Sequence, residues 1–302
     1  PVLRGLWAHC EVTAVVTRPD AQKGRGHKVQ YSPVKEAALE RGLPVLQPRS
    51  ARDPAFIEAL GGYGADIFVV AAYGLILPES VLRLPENCVN VHASVLPKLR
   101  GAAPIQWAII NGEKTTGITI MHMDKKLDAG DMILKKEIEI APDDTGGTLH
   151  DKLSRLGTAA LIEALVLLEE GRAERTPQDH GAATYAPMLT KVHGHIDWNK
   201  PPEDIENFVR GMNPWPAAYV YYDGELIKVW RVRVCQGDGS LDTPSTPGEI
   251  VRFTQEGFAV AAGNGGFVEI LEVQAQGARR MPAADYLRGR HLKIGEILKG
   301  VD

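Results

Sequence analysis

Cysteine is scarce in this chain. The three residues, Cys10, Cys88 and Cys235, are far apart and odd in number, so they do not form the paired framework of a small secreted domain. They read as reduced thiols of a cytosolic protein. Long apolar runs are also missing: the richest, IFVVAAYGLIL and ALIEALVLL, fall short of the roughly 18 residues that a bilayer-crossing helix needs. No signal peptide is visible. Positive charge is not in excess, since 34 Lys and Arg stand against 38 Asp and Glu for a net charge of −4; indiscriminate nucleic-acid binding is disfavoured, a local basic patch is not. Nine histidines are present, but the tightest pair, His193-Gly194-His195, has no Cys or carboxylate cluster at ligand spacing, and structural zinc takes four ligands. No metal is expected. What remains, 44% apolar and 24% charged residues in a chain of 302, is the make-up of one large or two ordinary globular domains.

Chemistry concentrates between Asn90 and Asp131. The apolar strand CVNVH places Asn90 and His92 on one face and Val91 on the other. Their Cα atoms are expected about 6.6 Å apart at about 3.3 Å of rise per residue, close enough for both side chains to reach one carbonyl. An amide donor beside an imidazole supplies an oxyanion contact and a proton carrier. Taken alone, Asn-x-His in a strand is commonly just a hydrogen-bonded pair. The strand, however, runs into the Pro- and Gly-punctuated loop Leu96-Pro97-Lys98-Leu99-Arg100-Gly101, the position where open α/β sheets bind ligands. After a helix (APIQWAIING) and a strand (GITIMHM) comes a second turn, Lys126-Leu127-Asp128-Ala129-Gly130-Asp131. Exit loops of neighbouring strands are expected to bring Asp128 near His92. A cysteine nucleophile fails on distance, because Cys88 and His92 are about 13 Å apart along the strand. No G-x-S-x-G elbow activates Ser94.

NVH followed by SVLPKLRGAAPIQWAI and LDAGD closely resembles the 10-formyltetrahydrofolate-dependent formyltransferases, in particular their tRNA-directed branch. The resemblance implies Asn90, His92 and Asp128 as the catalytic trio. It further implies that Tyr73, Gly74, Leu75, Ile76 and Leu77, with Leu127, line the pterin slot of the donor 10-formyltetrahydrofolate. Read as ordinary residues, Ile76 and Leu77 would belong to the core. The basic segment Thr17 to Lys35 holds Arg18, Lys23, Arg25, Lys28 and Lys35 against Asp20 alone. As a bare sequence this is a solvated Gly-rich loop; Gly24-Arg25-Gly26 lacks the third glycine of a dinucleotide fingerprint. By resemblance the loop contacts tRNA, with Arg25 first and Arg18, Lys23 and Lys28 beside it. The implied partner is initiator tRNA charged with methionine. No membrane and no obligate protein partner are expected, and the location is cytoplasmic.

The rest of the chain organises around that centre. PVLRGLWAH reads as the end of a helix and EVTAVV as a buried strand. Relatives begin with a further strand and a Gly-Thr-Pro loop, so a natural N-terminal segment is expected to be missing. Helices and strands then alternate through LPVLQ, DPAFIEALGGYG and DIFVVAAYG, which predicts a Rossmann-like parallel sheet with helices on both faces. The formyltransferase domain is expected over residues 1–171, ending in the amphipathic run TLHDKLSRLGTAALIEALVLLEEG. A polar, aperiodic linker follows over 172–190. Over 191–302, closely spaced short strands with an Asp223-Gly224 hairpin signal predict a small β-barrel. The runs NPWPAA, IKVW and QAQGARRM resemble the OB-like barrel of the tRNA-directed branch, where Arg279 and Arg280 are available for RNA. Two other readings stay open on sequence: a formyltransferase acting on an amino sugar nucleotide, and a non-catalytic RNA-binding module.

Overall fold

Short elements separated by proline and glycine build the molecule. The computed structural model describes residues 1–23, 28–235, 245–290 and 292–300. They form two compact units: Pro1–Ala102, Thr116–Ile138 and Asp151–Ala186 in the first, and Ala103–Thr115, Glu139–His150 and Pro187–Asp302 in the second. The expected boundary over 172–190 therefore does not divide them. Residues 172–186 belong to the first unit, and two earlier stretches belong to the second.

In the first unit α1 (Val2–Leu6) precedes β1 (Val15–Val16), and β2 (Ala21–Lys23) pairs with β3 (Lys28–Gln30). The loop expected within the basic segment Thr17 to Lys35 thus carries a short antiparallel ladder, in which Lys23 and Lys28 stand opposite one another. Ser32 caps α2 (Pro33–Glu40), its hydroxyl accepting from the Lys35 amide, with proline at the tolerated first position. Asp53 does the same for α3 (Pro54–Gly61), which follows β4 (Val45–Leu46). Then come β5 (Ile67–Val70), α4 (Glu79–Leu82), β6 (Asn87–His92) and the two-residue β7 (Arg100–Gly101). After α5 (Pro104–Ile110) the chain forms β8 (Thr115–His122), β9 (Met132–Glu139) and the long α6 (Gly146–Glu169). The pair β1–β4 is parallel, and the main sheet has the order β5-β6-β8-β9.

That sheet corrects one expectation. β5 and β6 are parallel, but β8 runs antiparallel to β6, with His92 opposite Thr119 and Val89 opposite His122. A parallel neighbour needs a crossover packed on the sheet. Here the intervening helix α5 belongs to the second unit and packs on α7 (Pro202–Met212), so β8 simply returns alongside β6.

The second unit is an antiparallel sheet in the order β11 (Ala218–Tyr222), β12 (Glu225–Val234), β15 (Phe267–Ala275), β14 (Phe258–Ala261), β13 (Ile250–Phe253), with β16 (Met281–Pro282) on β15. The Asp223-Gly224 turn has φ of 47° and 75° and closes the β11–β12 hairpin. One face packs with α7 and α8 (Ala283–Gly289) around Ile205, Val209, Val229, Phe258 and Ile270. The expected closed barrel is not found among the described strands. β11 and β13 are the two margins, and the tail bridges near each, Lys299 to Tyr221 and Ile297 to Glu249.

Candidate active site

Alternation along β6 sorts its side chains. On one side Val91 meets α6 at Gly157, where a Cβ would lie only 3.0 Å from Val91 Cγ1 and 3.3 Å from Ile118 Cδ1. Asn90 and His92, both buried, point the other way. The loop after β6 folds back over them and is pinned by Thr119, whose hydroxyl donates to the Ser94 carbonyl at 2.7 Å and accepts from the Leu96 amide at 3.1 Å. Ser94 Oγ itself donates to the Lys98 carbonyl at 2.6 Å and is occupied structurally.

Leu99 and Arg100 then become scaffold. Leu99 sits at φ 57°, a costly region for a branched side chain. Its amide donates to Thr184 Oγ1 at 2.9 Å, and its carbonyl lies 3.0 Å from His92 Nε2. A carbonyl can only accept, so Nε2 carries a hydrogen and, in the neutral ring, Nδ1 carries the lone pair. β7 pairs in parallel with β10 (Tyr185–Ala186). Gly101, at φ +121°, has no room for a side chain there: a Cβ would lie 2.6 Å from the Ala186 carbonyl oxygen. Residues 172–186, expected as linker, are therefore a wall of the site; their polar side chains bond backbone of the first unit and so show no apolar period.

Asp128 reaches the same spot by a route other than the expected one. Because β8 is antiparallel, its exit lies beside Cys88, where the Met123 amide donates to the Cys88 carbonyl at 2.8 Å. The 124–131 loop doubles back, with the His122 amide donating to the Asp131 carbonyl at 2.9 Å. Gly130 permits this, since a Cβ there would fall 1.9 Å from the His122 oxygen. Asp128, at φ 47°, turns its carboxylate toward β6. Oδ2 accepts from the Gly101 amide at 2.8 Å and lies 3.7 Å from His92 Nδ1; Oδ1 is 3.5 Å from Asn90 Nδ2. At that length the Asn90 amide keeps most of its donor capacity. The expected trio is thus brought together.

Burial lowers the pKa of His92, opposed by the neighbouring Asp128 carboxylate and the Leu99 carbonyl and reinforced by the Arg100 charge. We read the resting imidazole as neutral, with the Nδ1 lone pair facing a carboxylate. Cys88, on the same strand, is buried and its thiol pushed up to about 12 by desolvation. It is an inert core residue.

Residues 4–165 match the Formyl transferase family and residues 188–291 its C-terminal domain. Over 291 residues, 96% of the chain and 92% of the relative, the sequence is 50% identical to methionyl-tRNA formyltransferase of Caldanaerobacter subterraneus subsp. tengcongensis. The chain belongs to the methionyl-tRNA formyltransferase family. A second member, from Agathobacter rectalis, is 48% identical over 95% of the chain and 91% of its own length. Among solved structures, an N-formyltransferase from Helicobacter canadensis in complex with folinic acid and dTDP-3-aminofucose superposes with a TM-score of 0.64. It covers 89% of this chain and 94% of that one at 15% identity, a likeness of fold.

The other expected site residues of this formyltransferase fall out unevenly. In the Tyr73–Leu77 loop, Leu77 is 9% exposed and belongs to the core with Phe56, Leu60 and Val81, whereas Ile76 is 76% exposed. Gly74 is exposed and Leu75 half-buried. The Tyr73 ring packs on that core, yet its hydroxyl is buried with no hydrogen-bond partner among the described residues, and burial raises its pKa. Leu127, next to Asp128, is 59% exposed. Arg18 lies against the same loop, its guanidinium carbon 3.7 Å from the place a Gly74 Cβ would occupy. Lys35 is held by Asp20 and Gln47, at 2.5 and 2.7 Å. Arg25 lies outside the described residues. Arg280 is paired with Glu272, at 2.5 and 2.6 Å, and stacked on Trp230, while Arg279 is exposed. His193 accepts from the Thr190 amide at 2.9 Å as a helix cap, and the His195 ring stacks on Tyr219.

Proposed function

We propose that this chain transfers the formyl group of 10-formyltetrahydrofolate to the α-amine of methionine on initiator tRNA, in the cytoplasm, for translation initiation. The observation that carries the reading is the convergence of the Asn90 amide, the His92 Nδ1 lone pair and the Asp128 carboxylate, in a chain half identical to methionyl-tRNA formyltransferases. The residues fit the donor. The exposed apolar Ile76 and Leu127 and the Tyr73 hydroxyl, buried and without a partner among the described residues, suit a flat ring with polar edges, with backbone groups of Leu75 to Leu77 reading that edge and Gly74 leaving room beside it. When bound, the donor supplies an electrophilic formyl carbon on nitrogen.

An α-amine has a reference pKa of about 7.7–8.0, so a usable fraction is neutral and needs no strong base. The new bond joins that nitrogen to the formyl carbon, the bond to the donor nitrogen breaks, and one proton passes from the first nitrogen to the second. Asn90 donates its free amide hydrogen to the oxygen as negative charge grows on it. His92 accepts the proton on Nδ1, which the Leu99 carbonyl keeps unprotonated, and returns it to the leaving nitrogen. Asp128 stabilises the imidazolium while it lasts. Arg18, Lys23, Arg25 and Lys28 on the first unit contact tRNA phosphates. On the second unit, Arg279 is the foremost basic contact and Arg280, already paired, the lesser. The sheet with its margins bridged by Ile297 and Lys299 is read as an OB-like platform for that RNA.

One assay tests the proposal: labelled formyl donor incubated with charged initiator tRNA, with a nucleotide amino sugar, or with neither. Label on the methionyl-tRNA alone is the expected result. Label on the sugar, or hydrolysis at the same rate without acceptor, overturns it.

A further inference from the structure

We infer that Gln178 and Arg100 form a positioning clamp that holds the Asp128 turn in register with His92. The inference rests on the reading of Asp128 as part of the reacting centre. Gln178 is 6% exposed and Arg100 4% exposed. Gln178 Nε2 donates to the carbonyls of Asp128 and Gly130, at 2.9 and 2.8 Å. Its Oε1 accepts from Arg100 Nε at 3.1 Å and Nη2 at 2.6 Å, and Nη2 also reaches His180 Nδ1 at 3.0 Å.

Two features make this more than filling of buried polar space. A guanidinium can only donate, so it dictates which end of the Gln178 amide faces it; the NH₂ is thereby aimed at the turn. The turn, in contrast, has little to hold itself, its own backbone bond from the Ala129 amide to the Lys126 carbonyl being 3.4 Å long. Asp128 also sits at φ 47°, off the conformation it would choose alone. Fixing the carbonyls of residues 128 and 130 orients the two peptide planes around the turn. That in turn sets where the Asp128 carboxylate meets Gly101 and His92. Arg100 lies next to Gly101 in β7, so the amide that binds the carboxylate and the guanidinium that orients Gln178 come from one short strand.

The test uses the full chain. Gln178→Glu keeps the size and the Arg100 pairing but offers no amide hydrogens to the turn. Gln178→Met keeps only bulk, and Arg100→Lys loosens the amide without removing the charge. Expected for Gln178→Glu is a fall in kcat of about 10²-fold, the scale of a small misplacement of a reacting group. KM for the charged tRNA should stay within about two-fold. Arg100→Lys should give a smaller fall of the same kind. Amide hydrogen exchange over residues 126–131 should quicken in each variant by more than exchange in α6 does, which separates loosening of the turn from the general loss of stability that unpaired buried polar groups bring. In an Asp128→Asn background, Gln178→Glu should add almost nothing, because both act through one group.

Parental kcat in both Gln178→Glu and Gln178→Met, or effects that multiply in the double variant, overturns the clamp. So does unchanged exchange of the turn, which decides the matter without reference to activity. A parental rate for Asp128→Asn alone sinks the reading of Asp128 and with it the catalytic half of the inference, while the exchange data still decide the structural half.

Discussion

Around β6 the polar side chains are inside, and at the neighbouring loops the apolar ones are outside. Asn90 and His92 are buried in the first unit, each within reach of the Asp128 carboxylate. Ile76 and Leu127 stand in water. A soluble protein ordinarily arranges these residue types the other way round. Burying an amide and an imidazole costs free energy unless they are hydrogen-bonded, and exposing large aliphatic side chains gives up stabilisation that the core could have used. Local departures of this kind mark places where folding was not the only demand. The lesson of the contrast is that the two departures, one on strand β6 and one on loops, sit beside ordinary anchors: the buried apolar Leu77, the apolar Val91 packed on α6, and Thr119, buried but fully hydrogen-bonded.

Replacing the buried polar pair gives the largest effect. Asn90→Ala should lower formyl transfer by about 10²–10³-fold, the usual loss for one oxyanion donor, and His92→Ala by about 10²–10⁴-fold, the usual loss for a proton carrier, each measured as single-turnover rate with saturating donor. Turnover within a few-fold of the parent breaks the comparison at its centre. Next come two adjacent residues of one loop with opposite fates. Leu77→Ala should cost about 2–5 kcal/mol of stability, as for other core leucines, by urea denaturation. Ile76→Ala should leave stability within about 0.5 kcal/mol and instead raise KM for the folate donor. If both variants act on stability alone, exposed Ile76 has no ligand to explain it.

A milder test uses acid. Burial depresses the pKa of both His92 and His122, the latter also through the Arg175 charge. Between their folded values and the ordinary value near 6.5, the unfolded chain binds protons that the folded chain does not. The stabilisation is therefore complete above about 6.5 and declines as the pH falls below it. Denaturant midpoints between about pH 7.5 and 5 should drop, and His92→Gln should flatten part of the slope. The smallest effect separates the two arginines. Arg279→Ala should reduce the salt slope of tRNA affinity by about one if it meets a phosphate. Arg280→Ala should change it less, because Glu272 and Trp230 already occupy that side chain.

Much of this was legible in the residues themselves. The alternation of Asn90, Val91 and His92, the proline-started helices and the Asp223-Gly224 hairpin all follow from local rules, because each depends on spacing within a few residues. Other features do not. The direction of β8 depends on where α5 packs, which no local pattern reveals, so the nearness of Asp128 was expected for a reason that the sheet overturns. The stretch 172–190 looked like linker since Gln178, Thr184 and Ala186 make their contacts with backbone of the first unit and show no apolar period. Gln178 and Arg100 were missed as site residues for the same reason. The closed barrel was expected from strand count, whereas closure depends on whether the margins find each other, and here the tail intervenes.

One consequence concerns anyone wishing to study the halves apart. The polypeptide passes from one unit to the other at 102/103, 115/116, 138/139, 150/151 and 186/187, so no single cut separates them. A fragment starting at Pro187 would leave behind Ala103, Trp107 and Ile110, which fill the same interior as Ile205 and Val209, together with the carbonyls of Ala141 and Asp144 that Arg210 binds at 3.4 and 2.9 Å. Such a piece would begin life with a hole in its middle and an arginine left with Asn207 alone of these partners.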